Sequence, residues 1–233
     1  MSTMNIMPNS LLIDLIALTK PRVNFLIIFT AIVGMLLAQD YTLDYSLMIY
    51  ASIGIYLAAS AAAVINHVVD QKIDAIMDRT KSRPLIKGKI KTEHAIYFAF
   101  FISVISTYIL FSFVNLITTL LTLFSIIVYS IIYSVYLKNL TSQNIVIGGI
   151  AGAMPPLLGW TAITNNVSEL PLLLFLIIFL WTPPHFWALA VYKQEDYSKA
   201  NVPMLPVTHG ADFTRLHIFL YSILLFCITL FPY

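Results

Sequence analysis

Seven long apolar runs alternate with short polar connections, and this pattern constrains the chain more than any other feature. The runs are Val23–Ala38, Tyr45–Ile65, Ala95–Val114, Leu116–Leu137, Ile145–Ile163, Leu170–Val191 and Leu216–Phe231. A helix needs roughly 20 mainly apolar residues to cross the hydrocarbon core of a bilayer. In that core every backbone polar group must be satisfied internally, so each run is expected to be a helix. Only 10% of the 233 residues are charged and mean hydropathy is +0.86, against about 25% charged in a soluble domain. The expected fold class is therefore all-α, a polytopic transmembrane helix bundle forming a single domain over residues 1–233. Nothing marks a soluble domain, a signal peptide or a nucleic-acid surface. The one cysteine, Cys227, excludes a disulfide framework and reads as a buried small hydrophobe.

The bases fix an orientation. Lys20 and Arg22 precede the first run, and Lys72, Arg79, Lys81, Arg83, Lys87, Lys89 and Lys91 lie between the second and third. Lys138 follows the fourth, Lys193 and Lys199 follow the sixth, and Arg215 precedes the seventh. The intervening connections, near Asp40–Asp44, Val114–Leu116 and Thr161–Leu170, hold none. The positive-inside rule then places the amino terminus and the basic loops in the cytoplasm.

The second run ends in "NHVVDQKIDAIMDRTKSRPL", with Asn66, Asp70, Asp74 and Asp78 four residues apart, followed by Arg79, Lys81 and Arg83. Residues four apart on an α-helix are offset by about 40°, so Asn66, Asp70 and Asp74 share a face and Asp78 lies at its edge. Like charges at this spacing cost about 0.2–0.5 kcal/mol per pair, so a compensating cation is expected. Carboxylate and amide oxygens suit Mg²⁺, which keeps waters and shares its coordination with substrate phosphates. Arginine forks fit phosphate oxygens. The cluster therefore reads as a metal–diphosphate site, with a self-paired acidic loop as the plain alternative.

A second polar segment, "VYKQEDYSKANVPMLPV", follows the sixth run on the same side of the membrane. It offers Lys193, Glu195, Asp196 and Lys199, while Tyr133, Tyr136 and Lys138 lie on that side too. The two segments resemble halves of one site, although the tyrosines suit an interfacial belt equally well. His67 and His185 lie at membrane depth, where a polar side chain points to function or to a broken helix. His94, His209 and His217 sit in loops or near span ends. Trp181 and Trp187 suit the membrane interface, and Gly148, Gly149 and Gly152 suit close helix packing. Pro155-Pro156 and Pro183-Pro184 are expected to kink the fifth and sixth runs.

The aspartate-rich stretch resembles the first motif of the UbiA-type intramembrane prenyltransferases. "TKPRV", "NIVIGGIAGAMPPLLGW", "WTPPHFWALA" and "EDYSKANVPMLPV" are similar to the branch of that family that farnesylates haem, over about Lys20 to Val207. The resemblance implies transfer of farnesyl from farnesyl diphosphate to a vinyl group of protoheme IX, giving haem O, with Mg²⁺ as cofactor. It implies that Asn66, Asp70 and Asp74 hold one Mg²⁺, that Asp196 helps to hold another, and that Asp70, Asp74 and Asp196 are catalytic. Arg22, Arg79, Arg83, Lys138 and Lys193 would grip the diphosphate, and His185 and His67 would face the haem. It further implies residence in the cell inner membrane, within the lipid bilayer, and contact with haem-handling or terminal oxidase assembly proteins. The family is expected to have nine helices, so the chain is expected to be shortened at its carboxyl end. A prenyltransferase acting on a quinone or chlorophyll precursor and a membrane transporter are the competing readings.

Overall fold

The computed structural model describes residues 8–38 and 44–232. The described residues form helices only. The first, α1 (Pro8–Leu18), was not expected from the sequence. Its apolar residues do not form a span, and it bends by 49° into α2 (Pro21–Leu37) across Lys20, whose φ is +52°. Leu15 and Leu18 pack inward against Leu85, Ile90 and Ala95, while Leu12, Ile13 and Ile16 face out. Asp14 is held by Lys89 at 3.2 Å, tying α1 to the basic loop.

The membrane-length helices follow the expected runs. They are α3 (Tyr45–Val69), α5 (Thr92–Phe113), α6 (Leu116–Ile127) with its continuation, α8 (Asn144–Thr164), α9 (Glu169–Tyr192) and α12 (Ala211–Thr229). Among the described residues six helices are long and apolar enough to cross a membrane, or seven where the bent pair α1–α2 counts as one span. Large apolar side chains such as Phe25, Phe29, Phe100, Phe111, Phe219 and Phe226 are exposed on the outside of the bundle. That distribution suits lipid as the solvent, because burial between helices is not needed to keep such groups from water. The chain is a multi-pass membrane protein.

Several expectations need correction. Run seven begins earlier than expected, so Arg215 lies inside α12 rather than before it. Cys227 is exposed on that helix instead of buried. The bundle's short pieces, α4 (Gln71–Ile76), α7 (Lys138–Leu140), α10 (Gln194–Lys199) and α11 (Leu205–His209), all cluster where the basic residues gather. Asp40 lies outside the described residues.

The helix α8 is the hub, packed by α2, α3, α6 and α9. Its prolines do not break it: α8 runs through Pro155-Pro156 and α9 through Pro183-Pro184. Close approach comes from glycines that the sequence reading passed over. A Cβ on Gly34 would sit 2.1 Å from Pro156 O, and one on Gly159 would sit 1.9 Å from Ala31 O. The α2 and α8 backbones therefore touch at two points where only hydrogen fits. Between Ile127 and Lys138 the fourth span switches to a π-helix, Val128–Leu137, with Ser134 Oγ donating to Tyr129 O at 2.8 Å. Such widened turns concentrate at functional sites.

Candidate active site

Asn66 lies in the last turn of α3, Asp70 caps it, and Asp74 sits in α4. The helix axis breaks at Asp70, yet the ladder continues: Asp70 N donates to Asn66 O (2.9 Å) and Asp74 N to Asp70 O (2.8 Å). The four-residue spacing therefore keeps the three side chains on one face, as expected, in spite of the break. All three are buried, at 3–5% exposure. Burying two carboxylates without partners would be prohibitive. Each is met by a base. Lys138 Nζ donates to Asp70 Oδ2 at 2.6 Å, and Arg83 Nη1 donates to Asp74 Oδ2. Lys20 Nζ donates to Asn66 Oδ1 at 2.6 Å. Asn66 Nδ2 in turn donates to Asp70 Oδ2 (2.9 Å) and to Ser134 Oγ (3.2 Å), locking the amide's orientation.

Three different segments supply these cations. Lys138 stands at the end of the π-helix, Arg83 in the loop after α4, and Lys20 at the left-handed residue that starts α2. Three cations face two carboxylates, so the cluster carries one surplus positive charge. Burial, reinforced by Arg83 and Lys138 and opposed by Asp70 and Asp74, pulls the Lys20 ammonium down to about 8. Asp70 Oδ1 remains buried with no hydrogen-bond partner among the described residues. A buried orphan carboxylate oxygen beside an amide oxygen and a second carboxylate is a donor set that fits a hard cation. No group of three or more His, Cys, Asp or Glu side chains is close enough to enclose a metal among the described residues. The donor set thus suits an ion that completes its shell with water and substrate oxygens.

The second segment lies beside the first. Ile73 and Met77 pack with Tyr197, Ala200, Val202, Met204 and Leu205 in one apolar cluster, together with the fully buried Trp187. The "NVPML" run is the clamp that brings the two polar segments together. Trp187 therefore serves the core and not the interface. Asp196 pairs with Lys193 at 3.8 Å, outside the ion cluster. Burial raises the Tyr197 phenol above its ordinary value, with Arg79 and Asp196 acting in opposite senses.

Other residues separate from the core of the site. Asp78 is exposed and bound to Lys81 at 2.6 Å. Arg22, Arg79 and Lys193 are exposed, and neither Arg22 nor Arg79 makes an ion pair among the described residues. Lys20, two residues before Arg22 in "TKPRV", joins the ion cluster where Arg22 was expected. His185 is exposed and stacks on Trp181, with centroids 4.2 Å apart. His67 is 4% exposed and so presents no surface to a ligand as large as haem, and neither ring nitrogen is hydrogen-bonded among the described residues.

The family pattern described as "UbiA prenyltransferase family" matches residues 27–233. The chain belongs to the UbiA prenyltransferase family. It is 54% identical, over 94% of its length and 74% of the relative's, to a protoheme IX farnesyltransferase of Hahella chejuensis. It is 55% identical to the enzyme of that name from Colwellia psychrerythraea, over 93% of this chain and 71% of that one. Among solved structures it is similar to a digeranylgeranylglyceryl phosphate synthase, with TM-score 0.80 and 20% identity over 95% of this chain and 77% of that one. It is also similar to a UbiA homologue from Archaeoglobus fulgidus bound to DMAPP and Mg²⁺, with TM-score 0.75 and 17% identity over 92% and 76%. As a UbiA-type protein the chain is a prenyltransferase.

Proposed function

We propose that this chain transfers a farnesyl group from farnesyl diphosphate to a vinyl group of protoheme IX, giving haem O and diphosphate. Relatives that bear this activity in their names are 50–55% identical to it over more than nine-tenths of its length. The observation that carries the chemistry is the cluster of Lys20, Arg83 and Lys138 around Asn66, Asp70 and Asp74. It is a preformed seat for an anion beside carboxylates able to hold a cation.

In this reading the diphosphate enters between the two polar segments. Asn66, Asp70 and Asp74 would hold one Mg²⁺ and Asp196, turned from Lys193, would help hold another, and these ions would neutralise charge on the leaving group. Lys20, Arg83 and Lys138 turn from the carboxylates to the phosphate oxygens, and Arg79 and Lys193 guard the entrance, with Arg22 at its rim. The allylic C–O bond breaks and its electron pair leaves with the diphosphate. The terminal vinyl carbon of the haem bonds to the allylic carbon. Water adds to the resulting cation at the inner vinyl carbon, and its proton is released. The cations favour this course because they stabilise charge that grows only as the bond breaks. Keeping the prenyl chain among apolar helices keeps water from the allylic cation. In this reading His185, exposed beside Trp181, is the residue that faces the haem. The gathering of bases at this mouth supports a cytoplasmic amino terminus, with the protein in the cell inner membrane.

The test is turnover in reconstituted bilayers with protoheme, farnesyl diphosphate and Mg²⁺, read by product mass. Haem O should form and should vanish with Asp70→Asn. Undiminished product from that variant, or transfer to an aromatic acceptor in place of haem, overturns the proposal.

A further inference from the structure

We infer that His67 donates a ring N–H to the diphosphate, as a neutral partner of Lys20 and Arg83; the inference rests on the prenyl-diphosphate reading above and deepens it. His67 is 4% exposed, and its Nδ1 and Nε2 are both buried with no hydrogen-bond partner among the described residues. No other described side chain leaves two buried polar atoms unpaired. A neutral imidazole carries one donor and one acceptor. Burying both without partners is costly, so an orphan of this kind calls for a ligand.

Neighbours place the ring. At about 100° per residue, Ser60, Val64 and His67 lie within roughly 60° of one another on α3. Ser60 Oγ accepts from Asn24 Nδ2 (2.9 Å), the same nitrogen donates to Thr19 O (2.8 Å), and Val64 packs with Leu18. That face of α3 is therefore turned to the bend between α1 and α2, where Lys20 stands. Lys20 and Arg83 are the charged groups whose fields reach the ring, and no carboxylate is among them. The ring thus belongs to the cationic side of the cluster. Charge is unevenly spread there. Lys138 and Arg83 each meet a carboxylate, but Lys20 meets only the neutral Asn66 Oδ1. The surplus positive charge therefore stands on the side of His67, and an anion is the partner that both would take. When Lys20 and Arg83 turn to the phosphate oxygens, one of those oxygens comes to the ring N–H. The other ring nitrogen accepts from the Lys20 ammonium, which carries three protons. Both orphans are satisfied in that one arrangement. A phosphate oxygen needs the room of a single atom, where haem needs a surface that His67 does not offer.

The test compares His67→Leu and His67→Gln with the wild type. Binding of inorganic diphosphate with Mg²⁺, binding of protoheme, and thermal unfolding are measured on each in mixed micelles. Leucine should weaken diphosphate binding about ten- to a hundredfold, the range of a hydrogen bond to a charged group. Glutamine keeps an N–H donor and should stay within about fivefold of wild type. Protoheme should bind all three alike. The unfolding midpoint of His67→Leu should not fall, because an apolar side chain replaces unpaired polar atoms. A lower midpoint with unchanged diphosphate affinity assigns the ring to packing and overturns the inference. Loss of protoheme with diphosphate affinity unchanged also overturns it and gives the ring to the acceptor. Should leucine prevent folding, wild-type protein carrying isotope-labelled histidine decides. Diphosphate should shift the His67 imidazole resonance, identified by its absence from His67→Gln, and an unmoved resonance overturns the inference. Wild-type diphosphate binding without haem O formation overturns the proposed reaction instead, and the affinity comparison still decides the role of His67.

Discussion

Lys138→Met removes the ammonium 2.6 Å from Asp70 Oδ2, where the two side chains are only 13% and 5% exposed. Stranding one member of a buried pair costs about 3–5 kcal/mol. The low end applies here, about 3 kcal/mol, because Asn66 Nδ2 still donates to Asp70. Asp70→Asn removes the opposite charge but keeps the shape and an oxygen that can accept from Lys138, so its cost should be smaller, about 1–2 kcal/mol. In the double variant neither charge is stranded, and its stability should lie close to that of Asp70→Asn, a coupling of about 2–3 kcal/mol. Reversible unfolding in mixed micelles measures all corners of the cycle. Turnover read on the same four proteins separates structure from catalysis. Stability should recover in the double variant, and activity should not, because the phosphate seat and the metal ligand are both gone. Additive costs, agreeing within about 0.5 kcal/mol, would refute the pairing. Recovered turnover in the double variant would refute the catalytic roles.

Four further outcomes follow from named contacts. The Lys20 ammonium loses its charge as pH rises through about 8, so kcat/KM for the prenyl diphosphate should fall above that pH, and Lys20→Arg should hold it level. Stability should move oppositely, because the unfolded chain binds more protons between about 8 and 10.5, so the Lys20 contribution improves with pH in that window. Gly159→Ala drives a methyl into the Ala31 carbonyl and should cost about 1–3 kcal/mol, measured by the same unfolding assay. Asp78→Asn breaks only an exposed pair with Lys81, and turnover should stay within about twofold of wild type.

The residues show why some of this was legible in the chain and some was not. Asn66, Asp70 and Asp74 were found because i,i+4 spacing is a local property, and the backbone ladder carries it through the break at Asp70. Lys138 was reachable from its place in the charge parity. Lys20 was not, because its role depends on a left-handed turn that aims it 46 residues forward, at Asn66. Gly34 and Gly159 gave no signal either, since a close approach between two helices belongs to neither sequence alone. The helix α1 was missed because one buried edge, Leu15 and Leu18, is too short a pattern to stand out from a strongly apolar chain.

Hydropathy and charge placement alone determined that this chain is a bundle of membrane helices with its polar chemistry at one mouth. Both follow from the bilayer, which refuses unpaired backbone and most charges regardless of how helices pack. Only the tertiary structure decided which cation meets which oxygen and that the "NVPML" run clamps the second segment to the first. Those depend on side chains distant in sequence sharing a few ångströms, and the low dielectric there makes every pairing or its absence count.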